Sequence, residues 1–158
     1  MNTNCLFCNI KNKKVFENEY FFSIFDAHPV SPGHALVIPK THIVSLFDLS
    51  TKQWNALKIA IDKTIDKIIN TNFEKLYKKM KNEKHTERSK HYSIKMLEHK
   101  MINKKPDGYN IGVNEGESAG RTIHHLHIQI IPRYSGDTKN PTGGIRNIFP
   151  KFGNYLKQ

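Results

Sequence analysis

The chain has 158 residues, 37% of them hydrophobic and 10% aromatic, which suits one domain with a modest core and excludes a disordered chain. Its net charge of +11 is uneven, because residues 71–105 hold 11 Lys/Arg against 4 Asp/Glu and leave the remainder at only +4. The basicity therefore describes one segment and not a whole nucleic-acid-binding surface. No apolar run is long enough to span a membrane, and the start Met1-Asn2-Thr3-Asn4-Cys5 lacks a secretion-signal pattern. Two cysteines spaced Cys5-x-x-Cys8 are too few for a disulfide framework, so a reducing, cytoplasmic setting is expected.

Short β-type runs at 15–16 and 21–25 come first. A turn at Ser31-Pro32-Gly33 follows, then a strand over 34–39. Ser50 with Gln53 has capping-box spacing and opens a helix whose apolar stripe reads Trp54, Leu57, Ile61, Ile65 and Ile68. Residues 71–105 read as a lysine-rich, solvated and partly mobile insertion, with Tyr92, Met96, Leu97 and Met101 on one side of a short helix. Strands are expected at 109–113 and at about 123–131, separated by a glycine-rich loop and followed by a Gly/Pro-rich tail in which Gly143 and Gly144 permit a tight turn. Short-linked strands with one strong helix give an α+β fold with an antiparallel sheet, all in one domain spanning 1–158.

The run Ile123-His124-His125-Leu126-His127-Ile128-Gln129-Ile130-Ile131 carries the chemistry. Strand alternation puts His125, His127 and Gln129 on one face, and Leu126, Ile128 and Ile130 on the other, where His124 joins the aliphatics. The preceding loop, Asn114-Glu115-Gly116-Glu117-Ser118-Ala119-Gly120, offers backbone N–H groups suited to a phosphate. Alone, a His-x-His pair reads sooner as two solvated side chains on an edge strand than as a site. Cys5-x-x-Cys8 alone supports zinc, redox chemistry or neither, and Asp26 reads as either a turn former or a ligand contact. His28, His85, His91 and His99 read as surface histidines.

The His-apolar-His-apolar-Gln spacing resembles the signature of the histidine triad (HIT) superfamily. So do Gly33-His34-Ala35-Leu36-Val37-Ile38-Pro39-Lys40-Thr41-His42, Asn110-Ile111-Gly112-Val113-Asn114 and Ala119-Gly120-Arg121-Thr122. The tail Pro132-Arg133-Tyr134-Ser135-Gly136-Asp137, with Asn140-Pro141-Thr142-Gly143-Gly144-Ile145-Arg146, is similar to a bacterial branch related to diadenosine polyphosphate hydrolases. The resemblance implies an antiparallel sheet of about five strands with helices, commonly paired into a homodimer through surfaces such as the Trp54 stripe. It implies a nucleotide hydrolase or nucleotidyltransferase acting at an α-phosphate of a dinucleoside polyphosphate or related nucleotide. His127 would form a covalent nucleotidyl-imidazole, as a neutral imidazole can near pH 7. Catalytic roles carry over to His127, Gln129, His125 and His34, and nucleotide-binding roles to Asp26, Asn114, Gly120, Arg121 and Thr122. Cys5, Cys8, His42 and His125 resemble a structural zinc set, and a divalent cation is expected with the substrate.

Two departures stand out. Gln129 occupies the place of the usual third histidine, as in uridylyltransferase and dinucleoside polyphosphate phosphorylase branches. An amide can hold a phosphate oxygen but cannot deliver a proton near neutrality, so a weakly basic phosphate chain is the expected leaving group, and either water or phosphate the acceptor. Arg121 replaces a usual glutamine and puts a cation beside the phosphate loop. The missing histidine equally allows a nucleotide-binding regulator with residual turnover. The +7 segment raises a DNA-end-processing role like that of the aprataxin branch, or weak, salt-sensitive nucleic-acid binding. No zinc-ligand pattern follows Lys151, which counts against the aprataxin-like role.

Overall fold

A computed structural model describes residues 4–10, 13–83, 86–154 and 156. Five strands, β1 (Phe16–Glu17), β2 (Phe21–Phe25), β3 (Ala35–Pro39), β4 (Gly108–Gly112) and β5 (Ile128–Arg133), form one antiparallel sheet in the order β1-β2-β3-β5-β4. Helices α1 (Thr51–Ile69), α2 (Phe73–Asn82) and α3 (Glu87–Leu97) separate β3 from β4, and a short α4 (Pro150–Gly153) closes the described fold. The α+β class and the antiparallel sheet of five strands follow the sequence reading.

Strand alternation makes two cores. Phe21, Ala35, Val37, Ile128 and Ile130 face the helices, where Leu57, Ala60, Ile68, Phe73, Tyr77 and Met96 cover them. Phe22, Ile24, Leu36 and Ile38 face the opposite way and pack against Cys5 and Phe7. That second face carries the site.

Helix α1 has its expected capping box, with the Ser50 side chain accepting from the Gln53 N–H and the Gln53 side chain accepting in return from the Ser50 N–H. Its buried stripe is Leu57, Ala60, Thr64 and Ile68, and Trp54 is 47% exposed, so the expected stripe is rotated away from its first member. Thr64 replaces a hydrophobe in the core because its hydroxyl donates back to the Ala60 carbonyl and also meets Ser23 Oγ at 2.8 Å.

The expectation of a solvated excursion at 71–105 fails. Residues Phe73, Leu76, Tyr77 and Met80 recur at helical spacing on α2 and turn inward, while Lys75, Lys78, Lys79 and Lys81 stay outside. Helix α3 packs through Ser89, Ser93 and Met96, two of them small polar residues. Ser93 satisfies its hydroxyl on the Ser89 carbonyl, so this face can be buried without an unmet donor. Met101 is buried just beyond.

This helical pair positions the turn that presents His34. Tyr77 Oη accepts from the Gly33 N–H at 2.9 Å, Ser31 Oγ donates to the Pro132 carbonyl, and Tyr134 Oη donates to the Pro32 carbonyl. Gly33 has φ +83°, and an added Cβ would enter the Phe73 ring. Gly33→Ala is therefore expected to cost at least about 2 kcal/mol, combining left-handed backbone strain with a ring clash. Thermal or urea unfolding reads this directly, and a variant as stable as the parent would contradict it.

The strand expected over about 123–131 begins only at Ile128. Residues 123–125 bend, and Leu126 donates its N–H to the Ile43 carbonyl at 2.7 Å, outside the sheet ladder. Alternation therefore holds for Leu126, Ile128 and Ile130 but not upstream. His124, expected among aliphatics, is exposed.

Candidate active site

A cavity of about 870 Å³ opens on the sheet face opposite the helices, a size suited to a small-molecule site. Ile24 of β2 and Leu36 of β3 floor it, and Phe7 and Ile10 of the N-terminal segment wall one side. His127 and Gln129 enter from β5 and the stretch before it, joined by Asp26, Asn114 and Thr122 from loops.

The His127 ring is oriented by its own backbone. Nδ1 lies 2.9 Å from the His125 carbonyl, which can only accept, so the proton resides on Nδ1 and the lone pair on Nε2. Phe7 stacks edge-on against this ring, with centroids 5.2 Å apart. A positioned imidazole with an available Nε2 beside a cavity is a competent nucleophile.

Behind it His34 is buried, with Nδ1 accepting from the Val30 N–H at 3.4 Å and lying 3.5 Å from Asp26 Oδ2. Its Nε2 has no hydrogen bond of ordinary geometry. Burial lowers the His34 pKa and the neighbouring His127 adds to that, while the Asp26 carboxylate and Gln129 amide oppose it without prevailing. The ring is thus neutral at pH 7. An unfolded chain titrates its histidines near 6.5 and so binds more protons than the native state just below that pH. Stability contributed by neutral His34 is present above about pH 6.5 and lost as pH falls below it. Urea titrations between pH 7.5 and 5.5 are expected to show this loss, with a smaller slope for His34→Gln, and equal slopes would contradict the assignment.

Asp26 is a turn former that also lines the cavity. Oδ1 accepts from the His28 N–H at 2.9 Å in a turn, and the side chain also lines the cavity. In the loop over 114–120 Asn114 donates to the Gly120 carbonyl, and Gly116 and Gly120 have φ +91° and +88°. Arg121 lies in this loop, but its guanidinium is ion-paired with Glu115 and its Nε donates to the Asn114 carbonyl, which holds the cation inside the loop. Glu115 in turn accepts from the Leu46 N–H at 2.9 Å, the main reason its carboxyl lies below the ordinary range.

His125 is 1% exposed and faces a different neighbourhood from His127. Its Nε2 donates to the Pro39 carbonyl at 2.9 Å, leaving Nδ1 as a lone pair 3.3 Å from Cys5 Sγ and 3.6 Å from Cys8 Sγ. His42 Nδ1 lies 3.4 Å from Cys8 Sγ, and the four ligand atoms all sit within 4.8 Å of one another. Two thiols and two imidazoles at this spacing could hold a metal ion, and the Pro39 contact supplies the outer hydrogen bond that fixes a ligating imidazole. The segment therefore separates two side-chain neighbourhoods, the cavity at His127 and the Cys/His cluster at His125, where strand alternation predicts one shared face.

Some contributors were not visible in the sequence. Phe7 and Ile10 come from an N-terminus with no periodic pattern, and Thr86 and Ser89 of the α3 start also line the cavity. His28, expected as a plain surface histidine, lines it too and packs edge-on against Tyr92. His91 is exposed, His99 accepts from the Met101 N–H, and His85 lies outside the described residues.

The HIT domain model matches residues 8–136. The chain belongs to the HIT family. This HIT chain is 30% identical over 138 residues to an uncharacterized 16.1 kDa HIT-like protein of Mycoplasma pneumoniae, covering 84% of the chain and 74% of that protein. It is 31% identical over 136 residues to the protein Hit of Bacillus subtilis, covering 83% and 72%. Relatives named for an activity are more distant. An AP-4-A phosphorylase of Mycobacterium tuberculosis is 26% identical, over 85% of this chain and 54% of its own length. A bis(5'-adenosyl)-triphosphatase of Dictyostelium discoideum is also 26% identical, over 79% and 62%. Among solved structures, a HIT family member from Bacillus subtilis aligns with TM-score 0.58 at 28% identity, covering 84% of this chain and 75% of that one. A Zn-bound histidine triad protein from Mycobacterium smegmatis aligns with TM-score 0.53 at 25% identity, covering 87% and 80%. Among the described residues no helix is long and apolar enough to cross a membrane.

Proposed function

We propose that this HIT protein is a nucleotide hydrolase or nucleotidyltransferase whose His127 attacks the α-phosphate of a dinucleoside polyphosphate or a related nucleotide. The observation that carries this reading is the His127 ring, whose Nδ1 is held by the His125 carbonyl so that Nε2 is the nitrogen left for attack, beside the large cavity. Nε2 forms the phosphorus–nitrogen bond as the phosphorus–oxygen bond to the remaining phosphate chain breaks. The leaving chain departs as an anion. Water or phosphate then attacks phosphorus and frees the imidazole.

Gln129 supports the phosphate-chain leaving group, since an amide stabilises oxygens by hydrogen bonding without supplying a proton. His34, kept neutral by burial, lies behind His127 and supports the ring from below the cavity. Asp26, Asn114, Gly120 and Thr122 contact the nucleotide, with a divalent cation accompanying the phosphates. Arg121 acts in this reading by holding the loop's shape through Glu115.

Cys5, Cys8, His42 and His125 would hold zinc, which would tie the N-terminal wall to the segment carrying His125. A reducing cytoplasm keeps both thiols available as ligands. The chain pairs as a homodimer, for which exposed Trp54 on α1 and the unpaired edge of β4 are available.

Product analysis on diadenosine tetraphosphate, with and without inorganic phosphate and a divalent cation, tests the reading. ADP formed only with phosphate identifies a phosphorylase, and mononucleotide release without it a hydrolase. Tight binding with no turnover would sink the enzyme reading and favour a nucleotide-binding regulator.

A further inference from the structure

The main cavity does not end at Gln129. A second cavity of about 530 Å³ shares Gln129 and Asn114 with it and continues along the same sheet face. Its floor includes Gly112 of β4 and Ile131 of β5, and an added Cβ at Gly112 would meet nothing within 4 Å. The far wall is the segment carrying Ile145, Ile148 and Phe149, which are 55%, 74% and 66% exposed.

That wall is built rather than frayed. A 3-10 turn over Gly144–Ile148 runs into α4. Gly143 at φ +88° lies so close to the Gly153 carbonyl that any Cβ would collide with it, and Asn147 Nδ2 donates to the Thr142 carbonyl at 3.1 Å. Three large apolar side chains are thus held toward water beside a catalytic candidate. Water-exposed apolar groups in a concavity favour a flat apolar ligand.

We infer that this second cavity binds the distal nucleoside of a dinucleoside polyphosphate, with its base against Phe149. The inference rests on the nucleotidyl-transfer reading and deepens it by naming the leaving group. With one nucleoside in the main cavity and its α-phosphate at His127, the rest of the phosphate chain passes Gln129 and Asn114. Those are the residues the two cavities share. The second compartment then offers the distal base an aromatic face and the bare Gly112 backbone, a tolerant platform because every base has a π-face. Substrates with a small leaving group use only the first compartment.

Phe149→Ala and Ile145→Ala change exposed side chains and spare both cores. The parent and both variants are compared on diadenosine tetraphosphate and on adenosine 5'-phosphorofluoridate, whose leaving group is fluoride. The expected loss in kcat/KM for the dinucleotide exceeds that for the fluoridate by about tenfold in Phe149→Ala, the scale of one lost base-stacking contact. Equal losses, or none, overturn the inference. Calorimetry with a methylene-bridged diadenosine tetraphosphate adds a readout independent of catalysis. The parent is expected to bind it more tightly than AMP, with Phe149→Ala removing most of that advantage. If neither substrate turns over but this pattern persists, the transfer reading fails and the second compartment stands. If the analogue binds no better than AMP, the compartment falls. If Phe149→Ala slows both substrates alike while dissociating a dimer, the face is a contact between copies and the inference is overturned.

Discussion

His127→Ala is expected to abolish turnover of diadenosine tetraphosphate, lowering kcat by at least about 10⁴-fold, as removal of a nucleophile does in acyl-transfer enzymes. Affinity for a non-hydrolysable analogue should change by less than about tenfold. The cavity floor from β2 and β3 and the loop over 114–120 are untouched, and only one wall residue is shortened. The reason for so large an effect is geometric. The His125 carbonyl holds the His127 ring through Nδ1, whereas among the described residues the other histidine lining the cavity, His28, packs edge-on against Tyr92. His34, the nearest substitute by type, is buried behind it with its pKa pushed down by that burial. Rapid-quench kinetics beside calorimetry separate the two quantities. A kcat within tenfold of the parent would remove His127 from the mechanism.

Removing the metal from the Cys5, Cys8, His42 and His125 cluster is expected to lower the melting temperature by about 10 °C. A ligand present at a thousandfold excess over its dissociation constant stabilises by about 4 kcal/mol, and each kcal/mol moves a chain of this size by about 2–4 °C. The loss should also reach the nucleotide. Phe7, between the two cysteines, packs against both His125 and His127, and residues 4–7, 9 and 10 wall the main cavity. Differential scanning calorimetry with and without a strong chelator, paired with metal stoichiometry of Cys5→Ser, checks both parts. A Cys5→Ser protein that melts with the parent and lacks metal would show the cluster to be dispensable.

The legible parts of this chain were those where local pattern and tertiary environment agree. Ser50 and Gln53 cap α1 because a capping box is satisfied within a few residues and needs nothing distant. Strands β2 and β3 were clear for a similar reason, being short apolar runs, aromatic in β2 and aliphatic in β3, between turn residues. The Cys5, Cys8, His42 and His125 grouping came from resemblance, and the fold brings those four side chains within 4.8 Å.

The misreadings have physical causes. In α2 the period of Phe73, Leu76, Tyr77 and Met80 was present but masked by lysines on the other face. In α3 the buried face is Ser89 and Ser93, polar residues whose burial works only because a neighbouring carbonyl accepts the Ser93 hydroxyl and Thr86 meets that of Ser89. No hydropathy pattern reports that. His124 was assigned to the apolar face by extending strand alternation through a bend, which the Leu126–Ile43 hydrogen bond creates from outside the sheet. Thr86 and Ser89 reach the cavity only through the packing of α3, a long-range fact without a local signal.

The most direct test traps the covalent intermediate. Protein mixed with diadenosine tetraphosphate is quenched in alkali, where a phosphorus–nitrogen bond to histidine survives, digested and examined by tandem mass spectrometry. An adenylylated peptide modified at His127 in the parent, and missing in His127→Ala, is the predicted result. Continued turnover with no adduct at any time point, or with the nucleotide on another residue, would contradict it.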